Sequence, residues 1–311
     1  MKYYLAPLEG VTTYVYRNAY HKIFSPMDKY FMPFIVPHTE KNFSTREKNE
    51  LSLQNNQGLV VVPQLLTNNV KDFLKTANDI RQLGYEEINL NLGCPSGTVV
   101  AKKKGSGFLA YPDELDSFLE EIFSKVNFKV SIKTRIGKEN PKEFYKLLEI
   151  YNKYPIEELI VHPRIQTDYY KNTVNREIYR YAYENSKNPI CFNGDIFSKE
   201  NYREIIEQFP DTDKIMLGRG IISNPALLCE IIENKKLTKE QFLNFHNMIY
   251  EQYKEISYGE RNVLFKMKEL WFYMGDLFIE SEKLMKKIKK SEKLKVYESI
   301  VYELVNHHEL R

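Results

Sequence analysis

The chain has 311 residues, a length that allows two ordinary domains or one α/β barrel with a small addition. Its 45 Lys and Arg residues nearly balance its 42 Asp and Glu residues, so the net charge of +3 neither indicates nor excludes a nucleic-acid partner. The three cysteines lack a Cys-x-x-Cys pair, which argues against a disulfide framework and against a zinc site, and we expect no bound metal.

The amino-terminal segment reaches Pro7 and Glu9 before any signal-like apolar core forms. No stretch approaches the ~18 apolar residues of a membrane helix. We therefore expect a cytoplasmic protein without membrane contact, and we expect a monomer.

Short apolar runs then alternate with longer amphipathic runs, which is the pattern of βα units around a parallel sheet. The predicted strands are Tyr3–Pro7, Tyr30–Val36, Leu59–Leu65, Glu87–Leu92, Lys129–Lys133, Glu158–His162, Pro189–Asn193 and Lys214–Leu217. The predicted helices include Asn69–Leu83, a helix starting at Pro112, Pro141–Tyr154 and Ser198–Phe209. Eight units over about 235 residues match a (β/α)8 TIM barrel. A doubly wound sheet stays open, although no Gly-x-Gly-x-x-Gly follows the first strand.

Strand signals stop near Lys236, and Leu237–Arg311 reads as helical throughout. The sequence thus predicts a catalytic barrel over residues 1–235 and a small carboxy-terminal helical domain over residues 236–311. Residues 283–295 hold seven lysines against one glutamate. Such a run attracts a phosphate backbone, but it is equally typical of a solvated helix face.

Cys94 stands where an apolar strand ends, between Gly93 and Pro95 and ahead of a basic loop that ends in Gly105 and Gly107. An isolated free cysteine is more often a small buried hydrophobe. Glycines on both sides instead let the chain pass close to a ligand. The loop therefore marks a candidate reactive site.

Polar residues collect at the ends of the other predicted strands as well. In a barrel these ends form one rim, and the rim carries the chemistry. The residues are Glu9, Gln64, Asn89, Asn91, Lys133, Arg135, His162, Arg164, Asn193, Asp195 and Arg219. Gly194, Gly218 and the turn at Asn224 are suited to an anion such as a phosphate. Amide and lysine side chains suit a flavin mononucleotide (FMN), but a sugar phosphate would use the same anion site.

The motifs resemble the tRNA-dihydrouridine synthase family. They comprise Ala6-Pro7-Leu8-Glu9-Gly10-Val11-Thr12, Gln64, Asn91-Leu92-Gly93-Cys94-Pro95, Gly105-Ser106-Gly107, Lys133-Thr134-Arg135-Ile136-Gly137, His162-Pro163-Arg164, Asn193-Gly194-Asp195-Ile196 and Gly218-Arg219-Gly220. They follow the family's order across roughly residues 1–235. The Asn-x-Gly-Cys-Pro element is the most specific of them.

The resemblance implies an FMN enzyme, reduced by NADPH or NADH, that converts uridines of tRNA to 5,6-dihydrouridine. Hydride would pass from the reduced flavin N5 to uracil C6, and Cys94 would protonate C5 as a general acid. The implied FMN ligands are Pro7, Leu8, Gln64, Asn91, Lys133, His162, Asn193, Asp195, Gly218 and Arg219.

The target base must leave the RNA stack to reach a flavin, so RNA must bind beside the barrel mouth. The predicted RNA ligands are Lys102, Lys103, Lys104, Arg135, Arg164, Lys286, Lys287, Lys289 and Lys290. Many family members carry a lysine just after Cys-Pro-Ser, where this chain has Gly97-Thr98. The reduced position in the RNA therefore stays open.

Three alternatives remain at this point. The same reaction could act on ribosomal RNA. A dihydroorotate-dehydrogenase-like FMN barrel could act on a free pyrimidine, although such a substrate needs no helical domain or lysine cluster. An RNA-binding protein on an inactive barrel is the third, and the combination of Cys94, Lys133 and His162 argues against it.

Overall fold

A computed structural model describes residues 1–24, 27–37 and 42–311. One parallel sheet runs through the described chain. Its strands are β1 (Lys2–Leu5), β2 (Lys29–Phe31), β3 (Val61–Val62), β4 (Gln64–Leu65), β5 (Glu87–Leu92), β6 (Lys129–Arg135), β7 (Leu159–His162), β8 (Ile190–Asn193) and β9 (Lys214–Leu217). Their order is β3-β2-β1-β9-β8-β7-β6-β5-β4.

The two edges of this sheet, β3 and β4, are successive parts of one segment. Val61 pairs with Tyr30 on β2, whereas Gln64 pairs with Asn89 on β5. Pro63 lies between them and has no N–H to donate, but its carbonyl accepts a hydrogen bond from Asn89 N at 2.8 Å. The sheet therefore closes on itself, and the predicted TIM barrel is confirmed.

Helices alternate with the strands. They are α1 (Tyr14–Ile23), α2 (Thr45–Leu51), α3 (Val70–Gln82), α4 (Gly97–Val100), α5 (Pro112–Lys125), α6 (Glu143–Tyr151), α7 (Arg176–Asn185), α8 (Lys199–Gln208), α9 (Arg219–Ser223), α10 (Leu227–Glu233), α11 (Lys239–Ile256), α12 (Glu260–Met274), α13 (Glu282–Lys290) and α14 (Leu294–His307). Short 3₁₀ turns cover Gln54–Asn56, Gly105–Ala110 and Gln166–Asp168. None of the helices described is long and apolar enough to span a bilayer.

Local chemistry explains where these elements start and stop. The Asn69 side chain accepts a hydrogen bond from Asp72 N at 3.0 Å and caps the start of α3. Gly84 follows this helix with a φ of +104°, a conformation that glycine adopts without strain. β2 is shorter than predicted because Pro33 follows soon after it, and Ile35 keeps only an isolated bridge to Leu65.

The chain forms two compact units. The first contains all nine described strands and consists of Met1–Pro7, Asp28–Asp195 and Ile205–Leu217. At the amino-terminal end of its barrel, Lys29 Nζ binds Glu87 at 2.7 Å and Glu158 at 3.0 Å. The Tyr4 hydroxyl also donates to Glu158 at 2.7 Å. A buried polar cluster therefore occupies the end of the barrel opposite the predicted active site.

The second unit is helical and consists of Leu8–Met27, Ile196–Glu204 and Gly218–Arg311. In its core, the Tyr297 hydroxyl bonds His246 Nε2 at 2.6 Å and accepts a hydrogen bond from Trp271 Nε1 at 2.8 Å. This unit includes segments that precede residue 236. The domain boundary at residue 235 therefore stays a prediction.

Candidate active site

A chain of amide side chains lies inside the barrel where β4 and β5 end. Asn91 Nδ2 donates to Gln64 Oε1 at 2.7 Å, and Gln64 Nε2 donates to Asn89 Oδ1 at 2.7 Å. Asn89 Nδ2 then donates to Ser131 Oγ on β6 at 2.9 Å. Because these groups are buried, each hydrogen bond fixes the orientation of the next side chain, and the network orients Asn91.

Asn91 in turn fixes the backbone at Cys94. Its Oδ1 accepts hydrogen bonds from the N–H groups of Gly93 at 3.0 Å and Cys94 at 2.9 Å. Cys94 is half-buried and forms no disulfide. The strand end thus holds a thiol at a defined place.

The basic loop returns against the same residue. Ser106 donates to the Cys94 carbonyl from its N–H at 3.1 Å and from its Oγ at 2.8 Å. Gly105 has a φ of +57°, and a Cβ at this position would lie 2.8 Å from the Cys94 carbonyl oxygen. Only glycine fits here without displacing Cys94, and the close approach is to the protein backbone; the predicted approach to a ligand stays a prediction.

Lys133 on β6 pairs in register with Asn91 on β5. Its side chain is half-buried, yet the surrounding protein atoms desolvate the ammonium and, with Arg135 nearby, lower the pKa of Lys133 to about 8. Within the described chain, no oxygen accepts a hydrogen bond from Lys133 Nζ. A desolvated ammonium that donates to no oxygen of the described chain favours a ligand that offers a hydrogen-bond acceptor.

His162, at the end of β7, belongs to a second network. Its Nε2 lies 3.0 Å from Arg164 Nη1, and the Arg164 guanidinium forms a bidentate ion pair with Asp195 after β8. Arg164 Nε donates to the Asn172 carbonyl at 2.6 Å, and the residue is only 2% exposed. This burial contradicts the predicted RNA contact of Arg164, which instead has a structural role between two rim loops.

Arg135 is also buried, at 1% exposure. Its guanidinium donates to the carbonyls of Gly93 at 3.0 Å, Ile165 at 2.7 Å and Tyr169 at 2.6 Å. These three bonds tie the loop after β5 to the loop after β7. The predicted RNA contact of Arg135 is contradicted for the same reason, because its donors bind the protein backbone.

The remaining predicted FMN ligands follow other strands. Asn193 ends β8 and donates from Nδ2 to the Met216 carbonyl at 2.9 Å. Pro7 follows β1 and is half-buried. In the helical unit, Leu8 N donates to Thr12 Oγ1 at 2.8 Å, and Arg219 lies over the Phe197 ring at 5.4 Å. Gly218 directly precedes α9.

The predicted RNA-binding lysines are exposed, except Lys104, which is half-buried. Lys102, Lys103 and Lys104 follow α4, and Lys103 stands over the Tyr111 ring at 3.9 Å and pairs with Glu114 at 3.3 Å. On α13 the buried residues Leu284 and Ile288 define the inner face. Lys286, Lys287, Lys289 and Lys290 therefore lie on solvent-facing positions of this helix.

Sequence reasoning missed two residues of the rim. Ser131 closes the amide network and precedes Lys133 by two positions, so strand periodicity could have placed both on one face. Tyr170 stacks on the His162 ring at 6.1 Å and lies 5.3 Å from the Arg135 guanidinium. No sequence signal marked Tyr170, because a loop outside regular structure brings it there.

Known proteins resemble this chain over most of its length. "tRNA-dihydrouridine synthase B" of Pasteurella multocida is 28% identical over 285 residues, which is 88% of this chain and 83% of that protein. "Probable tRNA-dihydrouridine synthase" of Staphylococcus aureus is 28% identical over 262 residues, which is 81% of this chain and 78% of that protein.

Solved structures share the fold at low sequence identity. A variant of NCR from Zymomonas mobilis has a TM-score of 0.54 and 15% identity, covering 78% of this chain and 90% of that chain. Morphinone reductase in complex with tetrahydroNAD has a TM-score of 0.50 and 11% identity, with the same two coverages. A sequence model described as "Dihydrouridine synthase (Dus)" matches residues 4–304. Because that match takes in nearly the whole sequence, the chain belongs to the dihydrouridine synthase family.

Proposed function

We propose that this protein reduces the C5=C6 bond of specific uridines in tRNA to 5,6-dihydrouridine. One observation carries the proposal. In a chain of the dihydrouridine synthase family, Asn91 and Ser106 hold Cys94 at the carboxyl end of β5, beside the strand that bears Lys133. A general acid must stand at a fixed place relative to the reacting carbon, and this turn supplies such a place.

The residues of the rim fit an FMN cofactor. Lys133 offers an ammonium that binds no oxygen of the described chain, and an isoalloxazine ring offers carbonyl oxygens and ring nitrogens. The amides of Gln64 and Asn91 keep one further hydrogen or lone pair for a planar ligand. His162 would bind the ring or the ribityl chain. When bound and reduced by NADPH or NADH, FMN would supply the hydride that uracil C6 receives.

The other ligands are proposed from the family motifs. They are Pro7 and Leu8 against the ring, and Asn193, Asp195, Gly218 and Arg219 at the ribityl tail and phosphate. Asp195 is already paired with Arg164, so this ion pair would present a carboxylate of fixed orientation.

Cys94 would supply the proton that uracil C5 receives. Its Sγ–H bond breaks and a new C–H bond forms at uracil C5, which removes the enolate charge that hydride addition at C6 creates. The thiolate then regains a proton from water, to which this half-buried residue has access. Lysines 102–104 after α4 and 286, 287, 289 and 290 on α13 would bind the RNA backbone while the target base is turned out of its stack.

A cysteine pair tests the chemical step. Cys94→Ala should keep the flavin absorbance and lose most dihydrouridine formation, measured as the two-dalton mass gain in nucleosides from tRNA. Cys229→Ala, which removes a thiol from the helical unit, should retain activity. Full activity of Cys94→Ala would show that the proton comes from another group. Parallel analysis of ribosomal RNA decides between the two RNA classes.

A further inference from the structure

An exposed stripe on α12 has no role in the site described above. Arg261, Phe265, Lys268 and Phe272 are spaced by four, three and four residues, so they fall on one face of the helix. Phe265 is 60% exposed and Phe272 is 81% exposed. We call these four residues the α12 stripe. It alternates cation and aromatic ring along the helix; Arg261 and the two rings are exposed, and Lys268 is half-buried.

Core packing does not explain the two phenylalanines. The inner face of α12 is complete, since it buries Val263, Leu264, Met267, Leu270, Trp271 and Met274. Burying a phenylalanine is worth about 1.5–3 kcal/mol, and these two forgo most of that gain. Single exposed apolar residues are common, but a ring repeated between cations on one face matches a binding surface better.

The charge around the stripe favours RNA as its occupant. Lys268 Nζ donates to the carbonyl of Ser291 at 2.5 Å, and Ser291 directly follows Lys289 and Lys290 at the end of α13. The stripe is therefore continuous with the lysine-rich helix. Arg261 makes no salt bridge with any described residue, so its guanidinium is available to a phosphate.

The rings favour unpaired nucleotides over a duplex. Bases in an RNA helix cover one another's faces, whereas bases in loops can stack on aromatic side chains. Phe265 and Phe272 are seven residues apart, which is about 10 Å along the helix axis. Two adjacent stacked bases are much closer than that, so each ring would take a separate base.

We propose that the α12 stripe binds an unpaired segment of the substrate RNA. Phe265 and Phe272 stack on two non-adjacent bases, and Arg261 and Lys268 bind the phosphates beside them. This proposal rests on the proposed function and adds a base-contacting surface to it, distinct from the backbone-binding lysines of α13.

Binding of an unmodified tRNA transcript to the flavin-loaded full chain tests it, by fluorescence anisotropy across a salt series. The double variant Phe265→Ala/Phe272→Ala should weaken binding at least about tenfold at every salt concentration, because stacking carries no charge. Arg261→Gln should lower the slope of log affinity against log salt by about one. Tyr302→Ala, which removes a ring that is 70% exposed on α14, should bind like the wild type.

The outcomes separate the two proposals. If the double phenylalanine variant binds RNA with wild-type affinity and the wild-type protein reduces the RNA as expected, the stripe proposal is overturned and the proposed function stands. A changed sedimentation coefficient with unchanged RNA affinity would assign the stripe to a protein interface and also overturn it. If wild-type protein forms no dihydrouridine in any RNA, the proposed function itself fails. Thermal unfolding of each variant checks that the helical unit is intact.

Discussion

Replacing Gly105 by alanine would test how tightly the basic loop fixes Cys94. Gly105 has a φ of +57°, and this left-handed conformation costs an alanine about 1–2 kcal/mol. The added Cβ would also lie 2.8 Å from the Cys94 carbonyl oxygen and 3.0 Å from Val99 Cγ1. Overpacking of this kind costs about 1–3 kcal/mol, so the total loss of unfolding free energy should be about 2–5 kcal/mol.

Gly58→Ala provides the matched control. Gly58 has a φ of +82°, but no atom lies within 4 Å of the position its Cβ would take. The Gly58→Ala variant should lose only the unfolding free energy that the left-handed conformation costs, about 1–2 kcal/mol. Urea unfolding gives the unfolding free energy of both variants, and the two values can be compared if the m value is unchanged. Gly105→Ala should also change the rate at which iodoacetamide alkylates Cys94, because the carbonyl that must move belongs to that residue.

Equal stability losses in the two glycine variants would refute this reasoning. They would show that the loop moves away from Cys94 at little cost. Unchanged alkylation together with a large stability loss would locate the strain elsewhere in the loop, and Cys94 would then be fixed by Asn91 alone.

The polar side chains of Asn91, Lys133 and His246 can each be tested by substitution. Asn91→Ala should lower the unfolding free energy by about 2–4 kcal/mol and weaken flavin binding, because it leaves buried amide groups unpaired; a loss below about 1 kcal/mol in urea unfolding would contradict this. Since the pKa of Lys133 is lowered to about 8, flavin affinity should fall as the pH rises through 8, whereas Lys133→Met should bind weakly with a flat profile in fluorescence titrations. Burial lowers the pKa of His246 from 6.5 to about 4, so the unfolded chain takes up the proton first as the pH falls. Between pH 6.5 and 4 the folded protein should lose up to about 3 kcal/mol of stability in urea unfolding, and His246→Phe should lack this component of the pH dependence.

The sequence was sufficient to predict the barrel, because hydrophobic periodicity is a local property. Glu87–Leu92 and Lys214–Leu217 were predicted with the bounds that the structure has. The segment predicted as Leu59–Leu65 divides into two strands, since Pro63 cannot donate in the ladder. Residues 237–311 were predicted as helical throughout, whereas the structure interrupts them between α11, α12, α13 and α14. A helical pattern does not show where successive helices turn against each other.

The candidate site was predictable where a residue's place depends on a strand alone. Gln64 and Asn91 lie at strand ends, and the register of neighbouring strands brings them together. Arg135 and Arg164 were assigned to RNA because arginine has the same donors whether it binds a phosphate or a carbonyl. Their burial depends on loops that fold over them after β7, and no periodic signal describes such loops.

Three of the rim cations, Arg135, Arg164 and Lys133, differ in the hydrogen bonds that they make. Arg135 joins the loops after β5 and β7, and Arg164 joins the loops after β7 and β8 through Asp195. Arginine suits this task because its planar donors hold several acceptors at once and its charge persists at every working pH. Lys133 has neither property, and within the described chain it donates to no oxygen. A rim stiffened by two arginines leaves Lys133 as the cation that we propose for an incoming ligand, and such preorganisation would reduce the ordering that binding otherwise costs.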